Sequence, residues 1–198
     1  MLENEFERLY WAKNQMVMGI DEAGRGPLCG PCVVACCILP VGYENERIND
    51  SKQLTDKKRN ILFKEIIQDA IYFRFEIVSP ETIDRYDIYH ATQQAMKELA
   101  LSTDMHKITI TDAMPLDCPD TVSIIKGDAK SISIAAASIL AKVLRDHIMY
   151  GYDVLYPEYE YTKHKGYGTK RHLELMDRYG LNKLYRMSFR PCREIKLF

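Results

Sequence analysis

The sequence has few of the features that mark membrane, secreted or low-complexity proteins. Its longest apolar run, residues 32–39, is far shorter than the ~20 residues that a membrane helix needs. Ten Gly and eight Pro in 198 residues exclude collagen-like and low-complexity classes. The first residues are acidic and lack the apolar segment of a signal peptide. We therefore expect a soluble, cytoplasmic protein with one domain over residues 1–198.

Excess charge is also lacking, since the formal net charge is −1, but the charges are unevenly distributed. Residues 162–198 carry ten Lys and Arg against three Asp and Glu. This pattern predicts a basic C-terminal portion, about residues 150–198, joined to an acidic body. Such a portion is suited to contact a polyanion. Charge alone leaves open the alternative of a solvated basic tail.

The six cysteines do not form a complete metal-binding pattern. Cys29 and Cys32 have the spacing of half a zinc site or of a redox pair, but no second pair follows. Cys36 and Cys37 lie inside the apolar run, where thiols behave as small hydrophobic groups. Packing is the favoured interpretation, with free thiols in a reducing compartment.

The hydrophobic pattern alternates between strand and helix periods, which predicts an α/β fold with a mixed central sheet flanked by helices. The predicted strands cover residues 16–21, 32–39, 71–78, 108–112 and 122–125. The predicted helices cover residues 55–70, 89–101, 131–150 and 169–179, with a further helix starting at 79.

Carboxylates stand at the ends of predicted strands. Asp21 and Glu22 end one apolar strand, Asp112 ends another, and Asp128 precedes the long helix. Several carboxylates in one pocket need a counter-charge, and oxygen ligands select Mg²⁺ or Mn²⁺. The alternatives are exposed loop acids for the first pair and a helix cap for Asp128.

Two further segments have the chemistry of nucleic-acid contacts. Gly24 and Gly26 allow close approach of the backbone, and Arg25 between them offers a planar fork for phosphate. This segment could contact a 2′-hydroxyl, the group that distinguishes RNA from DNA, although such a sequence is also common in turns. Tyr167 lies between two glycines in a lysine-containing segment and is free to stack on a base or sugar.

Five blocks together resemble bacterial ribonuclease HII, in the order of that family and from about residue 17 to 191. The blocks are Gly-Ile-Asp-Glu-Ala-Gly-Arg-Gly-Pro at 19–27, Asn-Asp-Ser-Lys-Gln-Leu at 49–54, Lys-Gly-Asp-Ala-Lys at 126–130, Ala-Ala-Ala-Ser-Ile-Leu-Ala-Lys-Val-Leu-Arg-Asp at 135–146 and His-Lys-Gly-Tyr-Gly-Thr at 164–169.

The resemblance implies a ribonuclease H-like fold with a helical C-terminal portion. It also implies an endonuclease that cleaves RNA in RNA–DNA hybrids and incises 5′ to ribonucleotides embedded in duplex DNA. Separately from the resemblance, we expect a monomer. The cofactor would be two Mg²⁺ or Mn²⁺ ions. The implied catalytic and metal-binding residues are Asp21, Glu22, Asp112 and Asp128. The implied substrate-binding residues are Gly24, Arg25, Gly26, Lys52 and Tyr167.

The sequence departs from the family pattern at two places. Ala113 follows the third acid where the family commonly has Gly, so the assignment of Asp112 rests on strand position. Tyr185 stands where the family has His before Arg-x-Ser-Phe. Asp146, in the long helix, is typical of the family but is interpreted as structural. Two other functions stay open: a non-catalytic nucleic-acid-binding domain and a metal-dependent exonuclease with four carboxylates.

Overall fold

The computed structural model describes residue 2 and residues 4–48 and 54–194. Lys52, assigned above to the substrate backbone, lies outside the described residues. The strands are β1 (Val17–Ala23), β2 (Cys32–Ile38), β3 (Tyr72–Val78), β4 (Ile108–Asp112) and β5 (Thr121–Ile124). The helices are α1 (Glu5–Trp11), α2 (Asp56–Asp69), α3 (Pro80–Tyr86), α4 (Ile88–Ala100), α5 (Ile132–Leu155), α6 (Tyr161–His164), α7 (Lys170–Tyr179) and α8 (Arg190–Glu194).

The five strands form one mixed sheet in the order β3-β2-β1-β4-β5. The first three strands in chain order pair antiparallel, whereas β4 lies parallel to β1 and β5 lies parallel to β4. Ile20 of β1 is opposite Thr111 of β4, so these two strands end at the same edge of the sheet. The predicted mixed sheet is thereby confirmed.

Helices cover both faces of the sheet because its central strands are apolar on both faces. Every residue of β2 is buried. On one face, Val33, Ala35 and Cys37 pack with α2 and α5. On the other face, residues of β1 and β2 such as Ile20 and Val34 pack with α4.

Four helices begin at Ser or Thr side chains that accept a hydrogen bond from the amide three residues later. These N-cap residues are Thr55, Ser79, Ser131 and Thr169. Such caps satisfy amides that lack an intrahelical partner, which is why the sequence located these helix starts well. The long helix α5 runs to Leu155, five residues past the predicted end.

The sequence pattern did not predict α1, which packs where α5 begins. The side chain of Asn4 accepts a hydrogen bond from the amide of Ile132 at 2.9 Å. Glu7 is fully buried and accepts from the hydroxyl of Ser131 at 2.5 Å and from the amide of Ser133 at 3.0 Å. These contacts across more than 120 residues fix the first turn of α5.

Helix α5 lies directly against β1 at Gly19. A Cβ atom at this position would lie 2.2 Å from the backbone carbon of Ser133, well inside van der Waals contact. Glycine is therefore required for the close approach of the helix to the strand. Ser138, one turn further along α5, lies near Asp21 because of this approach.

The C-terminal portion has its own apolar cluster, and the prediction that it is helical is confirmed. Its buried residues are Leu28, Cys29, Met149, Tyr159, Tyr161, Met176, Leu184, Tyr185 and Cys192. The six cysteines are free, five of them buried, and burial raises the pKa of Cys29 to about 12. They pack as small apolar groups, as predicted. No helix in the described residues has the length and apolar character needed to cross a membrane.

Candidate active site

Two carboxylates reach the same edge of the sheet because their strands are parallel neighbours. Asp21 lies near the end of β1, and Asp112 is the last residue of β4. Asp128 joins them from the single turn of 3₁₀ helix at Gly127–Ala129. The amide of Gly127 donates a hydrogen bond of 2.7 Å to Asp112 Oδ1, which ties this turn to the end of β4.

The carboxylates of Asp21, Asp112 and Asp128 form one group. One oxygen from each lies within 4.8 Å of the other two. Asp21 and Asp128 are buried and Asp112 is half-buried. Burial raises the pKa of Asp21 well above its usual value, and the nearby charges of Glu22 and Asp112 raise it further. A raised pKa at Asp21 means that the group favours the approach of a cation or a proton.

Glu22 lines the same cavity as Asp21 and Asp112, but its carboxylate is not a member of the group of three. Its Oε1 pairs with Arg25 at 3.4 Å, and its Oε2 is buried and has no hydrogen-bond partner among the residues that the structure describes. Burial raises the pKa of Glu22, and the charge of Arg25 partly opposes this rise. A buried carboxylate oxygen without a donor is costly unless a cation approaches it.

These residues fit a hard divalent cation. Three carboxylates converge, Glu22 adds a buried oxygen that has no partner within residues 4–48 and 54–194, and the donor atoms are all oxygen. Mg²⁺ and Mn²⁺ prefer this set of ligands, whereas thiolate-binding metals do not. Ser138 and the amide of Glu22, both bonded to Asp21, stabilise its charged form and orient it.

The alternative reading of Asp128 as a helix cap is wrong. Ser131 caps α5 by accepting a hydrogen bond from the amide of Ile134 at 3.1 Å. Asp128 lies one turn earlier and turns towards the other two carboxylates. Ser131 therefore caps α5, and the carboxylate of Asp128 belongs to the group of three.

The glycine-rich segment, Gly24 to Gly26, and Tyr167 line the same cavity as Asp21, Glu22 and Asp112. The cavity has a volume of about 240 Å³. A Cβ atom at Gly26 would lie 3.8 Å from the ring of Tyr167, which is 45% exposed. The lining residues are Asp21, Glu22, Ala23, Gly24, Arg25, Gly26, Asp112, Ser138, Lys142, Arg145 and Tyr167.

Sequence reasoning did not single out Ser138, Lys142 and Arg145, although they belong to one of the quoted blocks. Their signal is their spacing: the three polar residues follow one another at intervals of four and three positions, which places them on one face of α5. Lys142 pairs with Asp146 at 2.7 Å, and Asp146 is buried outside the carboxylate group. This agrees with the interpretation of Asp146 as structural.

A buried histidine, His172, forms a hydrogen bond with the backbone carbonyl of Tyr167. His172 Nδ1 lies 2.9 Å from the carbonyl of Tyr167, and the hydroxyl of Tyr185 lies 2.9 Å from His172 Nε2. A carbonyl can only accept, so Nδ1 carries the proton and Nε2 accepts from Tyr185. Burial lowers the pKa of His172 to about 4, which keeps this ring neutral. Tyr185, the departure noted above, thus supports Tyr167 through His172.

The sheet and the carboxylates at its edge define a protein of the ribonuclease H-like fold. The structure superposes on that of ribonuclease H2 from Pyrococcus horikoshii with a TM-score of 0.78. The alignment has 25% sequence identity and covers 90% of this chain and 96% of that one. The predicted fold class is thereby confirmed.

The chain belongs to the ribonuclease HII family, because the profile of that family matches residues 18–192. It is 48% identical to Ribonuclease HII of Listeria innocua serovar 6a over 188 residues, which cover 92% of this chain and 71% of that protein. It is 46% identical to Ribonuclease HII of Lactobacillus delbrueckii subsp. bulgaricus, with coverage of 96% and 75%. The resemblance given by the five sequence blocks is confirmed.

Proposed function

We propose that this protein is a metal-dependent endonuclease that cleaves RNA in RNA–DNA hybrids and incises 5′ to ribonucleotides embedded in duplex DNA. The observation that carries the proposal is the meeting of three carboxylates beside a cavity shared by Gly24, Arg25, Gly26 and Tyr167. A site for a hard cation and a surface suited to a sugar and a phosphate lie side by side. Membership of the ribonuclease HII family supports the same activity.

Asp21, Glu22, Asp112 and Asp128 are the proposed ligands of two Mg²⁺ or Mn²⁺ ions. When bound, such ions would supply an activated water and would neutralise charge on the leaving oxygen. Asp21 and Glu22 hold their positions through β1, and Asp112 holds the turn that carries Asp128. Cleavage adds hydroxide to phosphorus and a proton to the leaving 3′-oxygen, which gives 5′-phosphate and 3′-hydroxyl ends.

The glycine-rich segment, Tyr167 and Lys52 are the proposed substrate contacts. The backbone of Gly24 and Gly26 would read the 2′-hydroxyl, and Arg25 would contact phosphate. The exposed ring of Tyr167 would stack on the sugar next to the scissile bond. The basic C-terminal portion would contribute further phosphate contacts. We propose that the enzyme acts as a monomer in the cytoplasm.

A closed circular DNA with one embedded ribonucleotide tests the activity. We expect nicking of this circle in Mg²⁺, no nicking in EDTA, and no nicking of an all-DNA circle. An exonuclease cannot attack a substrate without ends, and a non-catalytic binding domain would shift the circle on a gel without nicking it. An intact circle in Mg²⁺, whether or not it shifts on the gel, would contradict the proposal.

Metal binding has a second readout that does not depend on activity. We expect Mg²⁺ to raise the melting temperature of the wild-type protein, because the cation relieves the repulsion among buried carboxylates. The variant Asp21→Asn should melt higher than wild type in EDTA and respond weakly to Mg²⁺. An equal response to Mg²⁺ in both proteins would contradict the assignment of Asp21 as a ligand.

A further inference from the structure

Two fully buried arginines lie beneath the glycine-rich segment. Arg145 comes from α5, and Arg186 comes from the segment between α7 and α8. Both side chains have zero exposure. Within the described part of the chain, neither forms an ion pair with a carboxylate. Their hydrogen bonds go to backbone carbonyls instead.

Arg186 binds the carbonyls of the glycine-rich segment. Its Nη2 donates to the carbonyl of Gly24 at 2.6 Å, and its Nη1 donates to the carbonyl of Arg25 at 2.9 Å. Its Nε and Nη2 also donate to the carbonyl of Gly30 at 3.0 and 2.9 Å. One guanidinium therefore bonds to both ends of the turn that runs from Gly24 to Gly30.

Arg145 joins this segment to the one that carries Tyr167. Its Nε donates to the carbonyl of Pro31 at 3.0 Å, and its Nη1 donates to the carbonyl of Lys165 at 3.0 Å. The amide of Leu28 donates to the carbonyl of Gly166 at 2.8 Å, which adds a direct backbone bond between the two segments.

The position of Arg145 also explains why residue 24 is glycine. A Cβ atom on Gly24 would lie 2.0 Å from Arg145 Nε, and the backbone there has φ of +97°. A side chain at this position would displace the guanidinium and strain the backbone.

The two carbonyl contacts of Arg186 determine where the adjoining amides point. In a trans peptide the N–H group points opposite to the C=O group, and no cis peptide bond is present in the described residues. Because the carbonyls of Gly24 and Arg25 face the buried guanidinium, the amides of Arg25 and Gly26 point away from it. Within the described part of the chain, neither amide forms a backbone–backbone hydrogen bond.

We propose that Arg186 and Arg145 are positioning residues for substrate discrimination, which hold the amides of Arg25 and Gly26 towards the ribonucleotide and in register with Tyr167. This inference rests on the proposed function, since it assumes that the cavity receives a ribose. A hydrogen bond from a guanidinium also polarises each peptide group, which strengthens the outward amide as a donor.

Affinity for two duplexes of one sequence tests this inference. One duplex contains a single ribonucleotide and the other is all DNA, and both are titrated in Mg²⁺ with proteins that carry Asp128→Asn to prevent cleavage. The variants are Arg186→Met and Arg186→Lys, with Arg145→Met as a parallel case. The matched control is Arg190→Met, because the Arg190 side chain is 90% exposed and its ion pair within the described chain is a local one with Glu194.

We expect Arg186→Met to lower the ratio of the two affinities about tenfold for each hydrogen bond lost to the ribose, while affinity for the all-DNA duplex stays nearly constant. Arg190→Met should leave the ratio unchanged. Arg186→Lys retains the charge and part of the bonding, so its ratio should lie between those of the parent and Arg186→Met. This second variant keeps the test decisive if the Met variant does not fold.

The possible outcomes separate the two proposals. A folded Arg186 variant that weakens both duplexes equally would show a structural role only and would overturn this inference. A ratio identical to that of the parent would also overturn it, while nicking of the circular substrate by the wild-type protein would leave the proposed function intact. A parent protein that binds both duplexes equally would contradict the proposed substrate and, with it, this inference.

Discussion

The two halves of the candidate site are built in different ways. The carboxylates of Asp21 and Asp112 stand on neighbouring parallel strands, so regular backbone pairing sets their separation. The glycine-rich segment and Tyr167 stand on irregular backbone, and buried side chains such as Arg186 and His172 hold them. The carboxylate half depends on the sheet, whereas the substrate half depends on contacts between distant parts of the chain. Variants in one half should therefore leave the other half working.

The largest effect is expected in the carboxylate half. Asp21→Asn preserves volume but removes a charged ligand, so we expect loss of cleavage by about 1000-fold or more. Affinity for the substrate should change little, because phosphate contacts dominate binding. Single-turnover cleavage and a binding titration measure the two quantities separately.

Asp120→Asn is the matched control, since Asp120 is exposed and lies 3.9 Å from Lys107, outside the cavity. Its cleavage rate should equal that of the wild-type protein. Cleavage by Asp21→Asn at the wild-type rate in saturating Mg²⁺ would remove Asp21 from the catalytic set.

Tyr167→Ala should impair recognition of the substrate and leave the metal site intact, whereas Asp21→Asn should do the reverse. Loss of a stacking ring weakens binding by roughly 1–3 kcal/mol, so discrimination of the ribonucleotide should fall by about 5- to 150-fold. The Mg²⁺-dependent rise in melting temperature should persist, because the ring does not contribute a ligand. The readouts are cleavage of a single-ribonucleotide duplex and thermal melting. If Tyr167→Ala cleaves the single-ribonucleotide duplex as well as Tyr167→Phe and the wild-type protein do, the ring has no role in recognition.

A smaller effect is expected from the contacts at the start of α5, which follows Asp128 in the chain. Glu7→Ala removes a buried acceptor of two hydrogen bonds, so we expect the free energy of unfolding to fall by about 2–3 kcal/mol. Glu5→Ala, on an exposed position of the same helix, should change stability by less than about 0.5 kcal/mol. Urea denaturation measures both. Equal stability of the two variants would show that α1 does not hold the first turn of α5.

The substrate half should respond to acid through His172. The pKa of His172 is about 4 in the folded protein, against about 6.5 in the unfolded chain. Between these values the unfolded chain binds the extra proton, so stability falls as the pH decreases from about 6.5 to about 4. The slope is at most about 1.4 kcal/mol per pH unit for this group.

His172→Asn retains a donor for the carbonyl of Tyr167 but does not titrate, so its stability should vary less over this range. Urea denaturation at pH 6.5 and pH 5 measures the difference between the two proteins. Parallel pH profiles for wild type and His172→Asn would mean that His172 does not carry the effect.

The sequence predicted the carboxylate half better than the substrate half, for a physical reason. Strand ends and helix caps are local: the alternation that ends at Asp112 and the caps at Thr55 and Thr169 are visible within a few residues. Helix α1 was missed because its seven residues are too short for a clear apolar stripe, and its support comes from Ser131.

The supports of the substrate half are invisible to such local patterns. Arg186 contacts carbonyls more than 150 residues away, and a buried arginine has no periodic signal. Residue chemistry and the resemblance to a family both predicted Tyr167 and the glycine-rich segment as substrate contacts, but neither explained how these residues are held. The role of Tyr185, which differs from the family pattern, emerged only from its bond to His172.

Gly19 has a consequence for how this protein tolerates mutation. The helix and strand touch where a methyl group would collide with the backbone of Ser133, so even Gly19→Ala must push α5 outward. That shift would draw the Ser138 hydroxyl away from the first aspartate, two residues along the strand. Residue 19 has no reactive group, yet it sets the distance between α5 and the strand that carries Asp21. We expect a substitution there to have the same effect as a substitution of Asp21 itself.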